Sequence, residues 1–381
     1  MPTNKVYHPV VARLVQLIAD NNWTTKFEKA IKMANAKNVP YIEHVKSLPQ
    51  YLSWIDAFLY WVPTENTSGQ NVDDHLSAFY FIADQSPLVA LQNQIVPEDT
   101  CPVLTPFSQW LADYASEMGI FLDHPESLTA ESEKTFYESP AYNMKEYSRP
   151  RGGWKSFNQI FGRHYKPGFR PVAAVADNSI IVSPADATFG GQWEIRSDSN
   201  VTVKKLNWKI EELLADSPYK QRFENGIFCH SYLGPTDYHR QHAPASGRVL
   251  EARVIQGQVY LEVEAKPLDD QPTKHGLHLK RNYNSLDGTG YQFAQTRGLI
   301  VLETSVGLIA VLPIGMCQVS SVIITAEVGV MLRKGEEISY FQFGGSDVVM
   351  VFEAATNVSF TAQAGTHYKM GTKIAQAYPV I

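Results

Sequence analysis

A chain of 381 residues is too long for one ordinary compact core and points to two domains or one enlarged domain. Hydrophobic residues at 44% and aromatics at 12%, against 19% charged, argue against disorder and could line a pocket with rings. A net charge of -6 without a run of basic residues makes nucleic acid and anionic lipid headgroups poor partners.

The first residues, MPTNKVYHPVVARLVQLIADNN, are apolar but broken by Arg13 and Gln16, so they read as a helix and lack the form of a secretory signal. Val10, Leu14, Leu17 and Ile18 recur at three- and four-residue intervals and define one apolar stripe. Thr25-x-x-Glu28 reads as a capping box, and Thr105 before Pro106 as a helix cap. The aromatic density at Tyr51, Trp54, Phe58, Tyr60, Trp61 and Phe79–Phe81 reads as core packing or a docking face. The longest apolar window, Val306–Met316, is too short to span a bilayer and contains Pro313. No stable membrane insertion is expected. Cys101, Cys229 and Cys317 form no C-x-x-C pair or disulfide framework, which fits a reducing, cytoplasmic setting.

Thr64–Val72 is a loop, and Glu138–Gly153, with two prolines and Gly152-Gly153, marks a boundary. The expected organisation is therefore α+β: a helical domain over 1–145 and a mainly β domain over 146–381 with barrel-sandwich-like sheets. Strands are expected at Val249–Ile255, at Val259–Val263 after a Gln256-Gly257 turn, and at Leu299–Leu302, Leu308–Leu312, Val319–Thr325, Val348–Phe352 and Val358–Thr361. One helix is expected near Leu206–Ala215. Gly329, Gly335 and Ile338 recur 36 residues later as Gly365, Gly371 and Ile374, which either two equivalent turns of a duplicated unit or a coincidence of strand-end glycines would give.

Three segments could carry chemistry. Ser183-Pro184-Ala185-Asp186 follows an apolar strand, and an Asp there either closes a turn or holds the tautomer of an imidazole. Tyr232–Pro244 crowds His239, Arg240 and His242 between prolines; loops on a rigid sheet suit catalysis, though a polar turn would look similar. H-x-x-H also invites zinc with His275 or His278, but no recognised ligand spacing completes it, and no metal is expected. In Tyr340–Phe352, Gly344-Gly345 between alternating apolar runs reads as a hairpin turn, and it also leaves the Gly345 carbonyl open to attack by Ser346.

In this order the segments resemble the phosphatidylserine decarboxylase family of pyruvoyl enzymes, with further similarity from Ser156–Arg163 to Arg170-Pro171, over about residues 154–381. Asp237-Tyr238-His239-Arg240-x-His242-x-Pro244 is the most specific piece. The family's usual Leu-Gly-Ser-Thr is replaced by Gly344-Gly345-Ser346-Asp347, which resembles a soluble branch including fungal tryptophan decarboxylases with helical extensions; Ala187 stands where the family commonly has Gly.

The resemblance implies that Asp186 orients His242 and that His242 deprotonates Ser346. Ser346 then attacks Gly345, and the chain splits between Gly345 and Ser346. Loss of ammonia leaves a pyruvoyl group, whose ketone forms a Schiff base with the amine of a substrate and draws electrons from the bond that releases CO2. His239 is the candidate proton donor. Arg240 either holds a carboxylate or pairs with an acid. Asp347 either tunes the site, contacts a substrate ammonium or caps the next strand. The expected substrate is a soluble amino acid, an aromatic one such as tryptophan among them. The alternatives are phosphatidylserine decarboxylation, a serine hydrolase using Asp186, His242 and Ser346, and a non-catalytic scaffold; a homo-oligomer is compatible with each.

Overall fold

The computed structural model describes residues 5–98, 100, 103–203, 206–259, 261–268, 271–279, 290–316, 321–343 and 346–379. The architecture is α+β, with a helical region followed by antiparallel sheets. Cys101, Cys317, Gly344 and Gly345 lie outside the described residues.

In the first helix, Pro9–Asp20, Val10, Val11, Leu14 and Ile18 are buried; His8 caps it. The Thr105 hydroxyl accepts from Ser108 N at 3.2 Å and starts the helix Pro106–Asp123. The capping box at Thr25 does not form: Thr24–Asn35 is already helical at that residue, with Trp23 at the cap position. Of the expected core aromatics, Tyr51, Phe58, Phe79, Tyr80 and Phe81 are buried, Trp54 and Trp61 are half-buried, and Tyr60 is exposed. The Trp110 Nε1–H donates to Val10 O at 2.8 Å and the Tyr114 hydroxyl to Ile55 O at 2.6 Å, so these two rings are buried with their polar atoms satisfied.

The main sheet has eight strands in the spatial order Met331–Leu332, Gly247–Ile255, Arg297–Thr304, Gly307–Gly315, Ser346–Phe352, Ile227–Leu233, Ala187–Glu194 and His367–Tyr368. Among the described residues it does not close into a barrel. Gln256-Gly257 does not join a hairpin, because Gly247–Ile255 pairs with Arg297–Thr304 and Met331–Leu332; Val263–Leu268 pairs instead with Gln271–Leu279. The expected helix near Leu206–Ala215 shrinks to Ile210–Leu213, since Leu206–Lys209 pairs with Asn200–Val203.

The glycine repeat is a structural duplication. Gly329, Gly335, Gly365 and Gly371 all have φ between +81° and +90°, the left-handed region where a side chain is strained. Equivalent bonds follow in both copies: Thr325 N and Ala326 N donate to Ile338 O, and Thr361 N and Ala362 N to Ile374 O. Two small sheets complete the copies, Val322–Ile324 with Glu337–Phe341 and Arg240–His242, and Val358–Phe360 with Lys373–Ala377 and Ile180–Val182. The copies cross at two matching segments. Val182 N donates to Pro244 O at 3.1 Å and His242 N donates to Pro184 O at 2.7 Å. The fold thus brings Asp186 and His242, far apart in sequence, to one crossing point.

One apolar cluster spans the expected boundary at 145. It joins Trp110, Phe107 and Phe79 of the helices to Phe157, Phe161, Tyr238, Phe341 and Phe343.

Candidate active site

Ser346 opens a central strand, with Gly315 on one side and Leu233 on the other as register partners. Leu233 ends its strand in a tight turn: Asp237 N donates to Gly234 O at 3.0 Å, and Gly234 N to the Asp237 carboxylate at 2.7 Å. Beyond that turn lie Tyr238, His239, Arg240 and His242. The neighbour of Ser346 in the sheet therefore feeds directly into the histidine segment.

His242 is buried and both its ring nitrogens are engaged. Nδ1 lies 2.8 Å from Gly335 O, and a carbonyl can only accept, so Nδ1 carries the proton. Nε2 then accepts from the Tyr238 hydroxyl at 2.9 Å. Burial, with Arg240 and His164 nearby, pushes the imidazole pKa down to about 4, so the ring is neutral near pH 7. Burial also pushes the Tyr238 hydroxyl well up, which keeps it a donor.

Asp186 does not orient this imidazole. Arg170 Nε donates to its two oxygens at 2.8 and 3.0 Å, and Met370 N donates at 2.8 Å to Oδ1. The bidentate guanidinium and the backbone N–H occupy the carboxylate, and the Gly335 carbonyl fixes the tautomer. Arg170 also reaches Glu146 at 2.7 Å.

The His239 ring stacks on Phe161 at 3.8 Å between centroids, with 22° between planes. The other side of this aromatic group holds Phe343: Phe161 lies 5.4 Å, Phe157 5.1 Å and Trp61 6.0 Å from it. Phe343 N donates to Asn158 Oδ1 at 2.9 Å, and Phe341 N to His239 O at 2.9 Å. The segment leading toward residue 346 is thus fixed to the histidine segment on one side and to the short helix Phe157–Phe161 on the other. Arg240 pairs with Glu337 at 2.8 Å, donates to Gly162 O at 2.7 Å and stacks on Tyr340, which realises the acid-paired alternative.

Asp347 is buried with Oδ2 2.9 Å from His230 Nε2 and also bonded by the Tyr291 hydroxyl; Oδ1 is buried and accepts no hydrogen bond among the described residues. His230, Tyr291, Arg170 and Asn158 escaped the sequence reading as site residues. His230 could have been flagged, because alternation along Ile227–Leu233 puts it on the same face as buried Phe228. A pyruvoyl group at position 346 fits these surroundings: the strands carrying Gly315 and Leu233 flank that residue in the sheet, and the adjacent Asp347 presents an unsatisfied polar atom. The side chains of His275 and His278 lie outside the described residues.

The fold and this cluster define a chain built around one strand opening. A family model for phosphatidylserine decarboxylase matches residues 157–376, more than half of the chain, and the protein belongs to that family. Among curated relatives, phosphatidylserine decarboxylase proenzyme 3 of Schizosaccharomyces pombe is 32% identical over 62% of this chain but only 22% of its own length. The phosphatidylserine decarboxylase proenzyme of Fusobacterium nucleatum is 32% identical over 61% of this chain and 70% of its own, and that of Geobacillus kaustophilus 34% identical over 55% and 72%.

Proposed function

We propose that the chain is a self-processing decarboxylase that cuts itself between Gly345 and Ser346 and releases CO2 from a soluble amino acid, with tryptophan a leading candidate. The observation that carries this reading is the placement of Ser346 at the opening of a central strand whose neighbour runs straight into His239 and His242. A pyruvoyl group at 346 supplies a ketone that condenses with a primary amine and withdraws electrons from the bond that breaks.

The residues divide the work around it. His242, neutral and held by Gly335 O, takes up the Ser346 hydroxyl proton at Nε2, with the Tyr238 hydroxyl as the group that must pass the proton on or turn aside. Asp186 with Arg170 holds the crossing segment in place. His239, against Phe161 and one ring from Phe343, returns a proton to the substrate carbon. Phe157 and Phe161 pack as buried core against Phe343, and no helix among the described residues is long and apolar enough to cross a membrane.

A second reading, decarboxylation of phosphatidylserine, is favoured by the names of the relatives. Comparing CO2 release from tryptophan, from tyrosine and from phosphatidylserine vesicles separates the two. Turnover on vesicles alone would overturn the amino-acid reading, and an uncut chain without turnover would favour a scaffold.

A further inference from the structure

Conversion of Ser346 to a pyruvoyl group, the reading on which this inference rests, makes residue 346 a chain end and removes its nitrogen as ammonia. The new end has no backbone N–H to give to the sheet, and Asp347 becomes the first residue that keeps both backbone groups. Chain ends fray unless something ties them down. A ketone on a frayed end would meet its substrate poorly, since a misplacement of about 1 Å can cost about a hundredfold in rate.

Asp347 is tied from two elements. Its register partners are Ile314 and Tyr232, and its carboxylate is buried. Oδ2 accepts from His230 Nε2 at 2.9 Å, on the neighbouring strand Ile227–Leu233, and from the Tyr291 hydroxyl, on the short helix Tyr291–Ala294. That helix is itself pinned, with Phe293 stacked on Trp208 at 5.1 Å and on Phe228 at 6.0 Å. Phe228 and His230 stand two residues apart on one strand, so strand, helix and carboxylate close a ring of contacts around the first residue after the cut.

Val349 and Val351 pack in the cluster of Phe228 and Phe293, whereas Val348 and Met350 pack in that of Ala243, the neighbour of His242. Asp347 is therefore gripped from the face turned away from the histidine segment. Stability does not account for the arrangement. Both contacts converge on Oδ2, Oδ1 is buried with no hydrogen bond among the described residues, and a buried ion pair gains little over an apolar replacement.

We propose that Asp347 is a positioning residue for the prosthetic group: His230 and Tyr291 grip its carboxylate, and the grip keeps residue 346 in register once the cut has made it a chain end. It acts after the cut and takes no part in the cut itself.

The test uses the full chain labelled with [3-13C]serine, so that the methyl group made from Ser346 is followed by NMR in the cut protein, together with CO2 release from whichever substrate turns over. Asp347→Asn and Tyr291→Phe should both be cut at the wild-type rate. Turnover should fall about a hundredfold in kcat for Asp347→Asn and about tenfold for Tyr291→Phe, with KM within about twofold of wild type. The methyl signal should move from its wild-type position toward that of a flexible pyruvoyl peptide. Both changes act through one carboxylate, so the double variant should turn over no more slowly than Asp347→Asn. Val351→Ala, buried on the same strand and face, should lower the urea midpoint and leave kcat and the methyl signal unaltered. The proposal fails if Asp347→Asn or Tyr291→Phe blocks the cut, if both keep wild-type kcat and methyl signal, or if Val351→Ala shifts these equally. A wild-type chain that stays uncut overturns the processing reading itself.

Discussion

At the scale of single residues, the carboxylate of Asp186 has its acceptors filled by Arg170 and Met370 N, so its contribution is to anchor a buried crossing of the chain. Arg170→Met should strand that carboxylate and cost about 3–5 kcal/mol in urea unfolding, whereas breaking an exposed pair such as Arg196–Asp198 should leave stability nearly unchanged. His242 makes a pH prediction. Its folded pKa of about 4 lies below the ordinary value of 6.5, so the unfolded chain binds the proton more readily. Stability from this group is fully present above pH ~6.5 and is lost as pH falls toward ~4, by roughly 3 kcal/mol in all. His242→Gln should flatten that part of the stability–pH curve; an unchanged slope would contradict a neutral buried imidazole. For chemistry, Ser346→Ala should leave a folded, uncut chain, whereas His239→Ala should permit cutting and lose turnover. If His239→Ala blocked cutting, the division of labour between the two histidines would be reversed. The crowding of His239, Arg240 and His242 was legible in the sequence, because two imidazoles and a guanidinium in a proline-bounded loop are unusual. The orienting group was not, since it is the backbone carbonyl of Gly335 and no side chain announces it.

At the scale of elements, the paired glycine turns place that carbonyl. Gly335 has φ +85°, and a Cβ there would approach Val172 Cγ2 at 2.6 Å; Gly329 has φ +90° and open space around it. Gly329→Ala should therefore cost only the left-handed strain of about 1 kcal/mol. Gly335→Ala should cost more and also slow cleavage, because it moves the acceptor of His242 Nδ1. Equal effects of the two changes on cleavage rate, followed on denaturing gels, would detach the turn from the site. The 36-residue glycine spacing made this duplication readable, since positive φ has a strong residue preference. Local propensity misled elsewhere. Thr25-x-x-Glu28 satisfies a capping pattern inside a helix that starts at Thr24, and Leu206–Lys209 forms a strand because a partner at Asn200–Val203 is available to pair with it. Neither outcome is encoded within the window of residues concerned.

At the scale of the molecule, the helical region and the sheets share one apolar cluster, and Phe343 is where they meet just before the proposed cut. The strand Ser346–Phe352 is paired along both edges, so the two pieces made by cutting should stay together under native conditions and part only in denaturant. Size-exclusion chromatography followed by a denaturing gel checks this, and loss of the small piece from native material would contradict it. The measurement that bears most directly on the whole account is intact mass of the denatured wild-type chain before and after hydrazine. The account predicts a C-terminal fragment starting at position 346 with a ketone in place of an amino terminus, shifted in mass by the hydrazine. A single uncut chain that hydrazine leaves unchanged would contradict it.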